Sequence, residues 1–198
     1  KIQIPYGKNV YGKEEVGAVI NCLKNTTQMS KNVLLFEKKV ANIFNKKYGI
    51  MVNSGSSAIL LGLKILNLKK GSEVIIPCLN FGTAISSLVI SGLKPIFVEV
   101  EKYTLQIDEK LITKKINKNT SAILVPNLIG NIPNWPSIRK IANKYNLKLI
   151  EDSADTLGAK INNKSTGTYS DMTITSFYGS HVISCAGNGG MLMLNSKK

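Results

Sequence analysis

The chain has 198 residues, 43% hydrophobic and 19% charged, a balance that suits a folded globular protein with a sizeable core. Its net charge of +14 raises nucleic-acid binding, but the lysines are scattered in pairs such as Lys38-Lys39 and Lys114-Lys115, and Arg139 is the single arginine. That scatter reads as solvated surface, so no nucleic-acid partner is expected, although a positive field helps draw in an anionic ligand.

In chain order, Val16, Val19, Ile20 and Leu23 form a helical stripe, and Phe36, Val40, Ile43 and Phe44 form a second. After NSGSSA, the apolar stretch 59–68 is long enough for a buried helix. Five β-branched runs follow: 73–77, 95–100, 122–126, 147–152 and 172–178. Each is nearly continuous in hydrophobicity, as strands covered on both faces must be. Helical segments 82–92, 107–116 and 134–146 separate them, the last with Pro136 in its first turn, where a missing N–H is harmless. This alternation predicts a three-layer α/β/α sandwich with a mostly parallel sheet. GMLML (190–194) reads as another strand, and NSKK follows with no closing helix, so the chain is expected to be a fragment that stops inside a larger architecture.

No apolar run reaches the ~20 residues of a membrane helix, and the opening KIQIPYGKNV lacks a signal-peptide layout. Cys22, Cys78 and Cys185 fit neither a disulfide framework nor a metal spacing. A reducing, cytoplasmic setting is expected, with no membrane contact and no metal in this part.

In open α/β sheets ligands sit beyond the carboxyl ends of the strands, and four polar segments lie there or at helix starts. Asn53-Ser54-Gly55-Ser56-Ser57-Ala58 opens a helix, where free N–H groups and small residues admit an anion, or where serine simply caps. Glu151-Asp152-Ser153-Ala154-Asp155 ends a buried strand, and an acid there needs a cation or donors. Ser176-Phe177-Tyr178-Gly179-Ser180-His181 carries the chain's only histidine, a side chain able to shuttle a proton near neutrality. Phe81, in Pro77-Cys78-Leu79-Asn80-Phe81, is placed to lie flat on an aromatic ligand or to join the core.

Taken in order, VNSGSSA, IIPCLNF, PIFVEVE, LIEDSAD and SFYGSH with its glycine-rich tail resemble the DegT/DnrJ/EryC1/StrS sugar aminotransferase family, within the fold-type I pyridoxal-phosphate enzymes. The resemblance implies the large cofactor-binding domain of such an enzyme, preceded by an N-terminal segment, over 1–198, with the small carboxyl-terminal domain missing. By position, Ser56 and Ser57 would hold the cofactor phosphate, with Ser176 adding a hydroxyl. Phe81 would stack on the pyridine ring and Asp152 would bind its nitrogen. Asp155 falls near the ring, where the family often has Gln or His.

One departure matters most. The family's aminotransferases have, in place of His181, the lysine that bonds covalently to the cofactor, and no lysine occurs here between Lys164 and Lys197. A branch of the family makes this replacement: the 4-keto-6-deoxy-sugar 3-dehydratases, which SFY and LIGN (128–131) also resemble. The resemblance thus implies pyridoxamine phosphate or pyridoxal phosphate as cofactor and a nucleotide-linked 4-keto-6-deoxy sugar as substrate. His181 would be the proton-moving residue of a 3-dehydratase in deoxysugar and surface-polysaccharide synthesis. It also implies a homodimer and, in one subtype, a reductase partner and an iron–sulfur cluster held by the missing carboxyl-terminal part. A nucleotide-sugar aminotransferase with its lysine elsewhere, or an inactive homologue that binds cofactor or nucleotide sugar, are the alternatives. AGNGG replaces the family's usual GEGG, so the loop holding Asn188 is one residue longer.

Overall fold

Two helices precede the first strand in the computed structural model, which describes residues 2–4, 7, 10–28 and 31–196. The expectation for the closing Lys197-Lys198 lies outside those residues. Helix α1 (Lys13–Asn25) begins where the Gly12 N–H donates to Glu15 Oε2 (2.7 Å), with Glu14 and Glu15 at the positive end of the helix dipole. Its predicted stripe turns outward: Val16, Val19, Ile20 and Leu23 are 47–67% exposed, and α1 buries no residue. Helix α2 (Lys31–Ile43) does bury its stripe. Val40 and Ala41, with Phe44 beyond its end, pack on Phe177, Met191 and Met193, while Ile43 faces out.

The chain then alternates strand and helix through β1 (Tyr48–Val52), α3 (Gly55–Leu66), β2 (Glu73–Pro77), α4 (Gly82–Ile90), β3 (Lys94–Val98), α5 (Glu109–Lys115), β4 (Thr120–Pro126), α6 (Trp135–Lys144) and β5 (Lys148–Asp152). A short hairpin, β6 (Lys160–Ile161) and β7 (Lys164–Ser165), turns on Asn162 and Asn163, both left-handed, a turn asparagine tolerates. Strands β8 (Met172–Ser176) and β9 (Gly190–Leu194) complete the sheet.

The seven strands run in the order β1-β9-β8-β5-β4-β2-β3. Only β9 opposes its neighbours; β3, β2, β4, β5 and β8 pair in parallel. Strand β1 is an addition to the predicted set. The short Tyr48-Gly49-Ile50-Met51-Val52 is only half-buried, and its pairing with β9 comes from the far end of the chain.

Strand periodicity of two sorts the side chains between the faces. Val74, Ile76, Ala122, Leu124, Ile150, Met172 and Ile174 pack with α3 and α4. Ile75, Ile123, Val125 and Leu149 pack with α5 and α6 around the buried Trp135. This is the predicted three-layer sandwich. The same alternation continues past the apolar residues: Asp152 and Ser176 fall on the α3 face, whereas Glu151, Thr173 and Thr175 fall on the other.

Candidate active site

Strands β3 and β4 flank β2 on opposite sides, so the connections reverse direction beside β2, where open α/β sheets form their crevice. A cavity of about 590 Å³ lies there, within the range of small-molecule sites. Its walls come from the start of α3, the segments after β2 and β4, the end of β5 and the loop between β8 and β9. Ser56, Phe81, Asp152, Asp155, Ser176 and His181 all line it. Ser57 does not: its N–H donates to Ser54 Oγ (3.1 Å), which caps the helix, and its hydroxyl lies 3.0 Å from the same oxygen.

The anion-binding end is built by close packing. A Cβ at Gly55 would come 2.9 Å from Ser176 Cβ, so the first turn of α3 presses directly on that serine. A Cβ at Gly190 would come 2.2 Å from the Ser54 carbonyl carbon, so β9 can pass this entry only with glycine there. Ser54 thus frees Ser56 and Ser176 to face the cavity at a helix N-terminus, the geometry that suits a phosphate.

The two acids that end β5 have opposite surroundings. Glu151 is fully buried within hydrogen-bond distance of Asn127 Nδ2 (3.0 Å), Ser153 Oγ (2.8 Å), Ser170 Oγ (3.1 Å) and Thr173 Oγ1 (2.9 Å). Beneath it, buried Lys46 donates from Nζ to the Ser170 carbonyl (2.6 Å), and burial pulls its pKa down to about 8 against the Glu151 and Asp171 carboxylates. Asp152 has only the Ala154 N–H (3.0 Å) among the described residues. Burial, with smaller repulsion from Asp155 and Glu151, pushes its pKa up to about 7. A carboxylate so placed calls for a cation in the cavity. Of the predicted acids, Asp152 is therefore the one that could hold a protonated ring nitrogen.

Phe81, at the N-terminus of α4, is 70% exposed and offers an uncovered ring face. His181 sits in the turn after β8, its N–H donating to the Tyr178 carbonyl (2.9 Å), with the Tyr178 ring edge-on at 5.9 Å. Its Nε2 lies 3.7 Å from Asp155 Oδ1, and its Nδ1 is buried without a partner among the described residues. Asn80 Nδ2 is orphaned in the same way. A phosphorylated, planar ring with a basic nitrogen fits these groups. No lysine is among the described residues lining the cavity.

Asn127, Tyr178 and Asn188 also line the cavity and were not singled out for it by sequence. Asn127 carried the same signal as Asp152, a polar residue directly after a buried strand. Its Oδ1 accepts from Trp135 Nε1 (2.8 Å), which fixes the amide toward Glu151. Trp135→Phe is expected to cost about 2–3 kcal/mol in urea unfolding, from a lost ring and an unsatisfied Asn127 oxygen.

Residues 9–198 match the model of the DegT/DnrJ/EryC1/StrS aminotransferase family. The chain belongs to that family. Among its DegT relatives, GDP-4-keto-6-deoxy-D-mannose 3-dehydratase of Yersinia pseudotuberculosis is 34% identical, over 94% of this chain and 49% of the relative. GDP-perosamine synthase of Vibrio cholerae is 33% identical, over 81% of this chain and 44% of the relative. The Escherichia coli GDP-4-keto-6-deoxy-D-mannose-3-dehydratase structure with bound hydrated PLP superposes with a TM-score of 0.93 at 33% identity, covering 99% of this chain and 52% of that one. The chain thus spans about half the length of the DegT proteins it matches.

Proposed function

We propose that the full protein is a pyridoxamine-phosphate-dependent 3-dehydratase of a nucleotide-linked 4-keto-6-deoxy sugar. The observation that carries this reading is His181 on a cavity that no lysine lines among the described residues. Identity alone does not separate the readings, since a dehydratase and a synthase stand at 34% and 33%. A lysine at this place would bond the aldehyde form of the cofactor; imidazole moves protons without doing so.

When bound, the cofactor supplies an amine that condenses with the 4-keto group and a ring that withdraws electrons. Ser56, Ser176 and the α3 N-terminus hold its phosphate, and Phe81 covers its ring. Asp152 keeps the ring nitrogen protonated, and that charge in turn lets the buried carboxylate stay ionised. His181 would take a proton at Nε2 from the cofactor's aminomethyl carbon, and the imidazolium so formed could return it to the 3-hydroxyl, which would leave as water. A second copy of the chain belongs to this reading, as does a cytoplasmic setting, in keeping with three free cysteines. No helix among the described residues is long and apolar enough to cross a membrane.

The test uses the full-length protein with pyridoxamine phosphate and, because the relatives' names carry GDP, GDP-4-keto-6-deoxymannose. Mass spectrometry should find a sugar that has lost its 3-hydroxyl. Borohydride treatment with pyridoxal phosphate should leave every lysine unmodified at the site; a trapped lysine adduct there sinks the proposal in favour of an aminotransferase.

A further inference from the structure

Three strand ends converge on one carboxylate. Asp155, beyond β5, accepts the Ile129 N–H at Oδ2 (3.0 Å) and presents Oδ1 to His181 Nε2, beyond β8, at 3.7 Å. Ile129, beyond β4, is held at φ 57, ψ 27. That left-handed conformation is a steric outlier for a β-branched residue, and such strain persists where surrounding structure imposes it, commonly at functional sites. Here the strained residue delivers a backbone N–H that anchors Asp155. The carboxylate is 38% exposed and the imidazole 21%, so both border the cavity rather than the core.

We propose that Asp155 is the positioning residue of His181: it aims Nε2 at the cavity and acts as counter-ion to the imidazolium formed when His181 takes a proton. This departs from the cofactor-contact role that family resemblance gave Asp155, and it rests on reading His181 as the proton carrier. The separation decides the division of labour. At 3.7 Å the pair is within ion-pair reach but beyond a hydrogen bond, so Asp155 stabilises positive charge on the ring without receiving the proton. The other groups facing this pair do not duplicate the role. Tyr178 meets His181 edge-on as a neutral ring, and the Asp152 carboxylate is committed to the Ala154 N–H and the buried end of the cavity. Proton balance is simple: neutral imidazole gains one proton at Nε2, the ring becomes cationic, and Asp155 stays ionised throughout.

The test is Asp155→Asn in the full-length enzyme, compared with Asp155→Glu. Asparagine keeps the acceptor for Ile129 and removes only the charge. We expect kcat to fall about 10- to 100-fold, a part of what a proton-transfer group supplies, with KM and pyridoxamine-phosphate affinity within twofold. Asp155→Glu should recover part of kcat. His181 is the only histidine in these 198 residues, so its imidazole ¹⁵N resonances, assigned by their loss in His181→Asn, report the pair without any turnover. They should shift in Asp155→Asn and move back in Asp155→Glu. Unchanged resonances overturn the proposal, as does an unchanged kcat in an active wild type. So does a loss that follows cofactor affinity, which would return Asp155 to the ring. If the wild-type enzyme performs no dehydration at all, the functional reading fails, while the resonance comparison still decides whether Asp155 positions His181.

Discussion

His181→Asn in the full-length enzyme is expected to lower kcat about 10²- to 10⁴-fold, the range a positioned proton-transfer side chain supplies. Asparagine approximates the size and polarity of the imidazole but cannot take a proton, so the substitution isolates the chemistry. The side chain is 21% exposed, meets Tyr178 edge-on and lies 3.7 Å from Asp155 Oδ1, so folding stability should fall by no more than about 1–2 kcal/mol. Cofactor affinity should be retained, because the groups proposed to hold it come from other elements: Ser56 from α3, Phe81 from the start of α4, Asp152 from β5. Equilibrium titration with pyridoxamine phosphate and single-turnover rates separate the two quantities. His181→Lys is the sharper companion. It should create a covalent, borohydride-trappable cofactor adduct that the parent lacks, and it should not restore dehydration. A His181→Asn enzyme that keeps full turnover would remove His181 from the chemistry.

What could be read from the residues, and what could not, follows from how local each signal is. Strands β5 and β8 carry shorter β-branched or aliphatic cores with polar residues at their ends or on one face, while β2 and β4 announce themselves by continuous apolar stretches, as β9 does with GMLML. Strand β1 does not, since Gly49 interrupts a half-buried pentapeptide whose partner lies at the other end of the chain. Helix α1 shows the limit of periodicity: the stripe at Val16, Val19, Ile20 and Leu23 is amphipathic, yet nothing in its spacing says what covers it, and in this chain it faces outward. Cavity-lining residues were legible where a side chain lies at or just beyond a strand's end or at a helix start, which is why Ser56, Phe81, Asp152, Asp155, Ser176 and His181 share one cavity. Ser57 escaped that logic because its N–H and its hydroxyl both meet the capping Ser54 Oγ, a pairing that the spacing of the three serines does not announce. Glu151 and Asp152 are equal as letters. They become different only when strand alternation puts one among hydroxyls and the Asn127 amide and the other against the cavity.

That difference sets the second large effect, in the pH dependence of stability. Asp152 titrates near 7 in the fold because burial penalises its charge, against an ordinary value of 3.8. A carboxyl whose proton is held more tightly in the folded state stabilises the fold fully below pH ~4, and that stabilisation is lost as pH rises through about 7. For cofactor-free protein, the loss from Asp152 between those limits is on the order of 4 kcal/mol. Asp152→Asn carries no charge to desolvate. Its urea midpoint should therefore stay flatter from pH 5 to 8 than the parent's, and at pH 8 the cofactor-free variant should be the more stable protein. Pyridoxamine phosphate should reverse the order: a protonated ring nitrogen gives the ionised carboxylate its partner, so only the parent gains strongly from added cofactor. Measuring both proteins with and without cofactor across this range gives four curves. Parallel curves without cofactor would mean that Asp152 is already compensated within the chain, and equal gains with cofactor would mean that the ring nitrogen lies elsewhere. The two outcomes are linked by one physical term: if a cationic ring nitrogen relieves the buried acid, the residue that weakens the cofactor-free protein is also the one that favours the ligand.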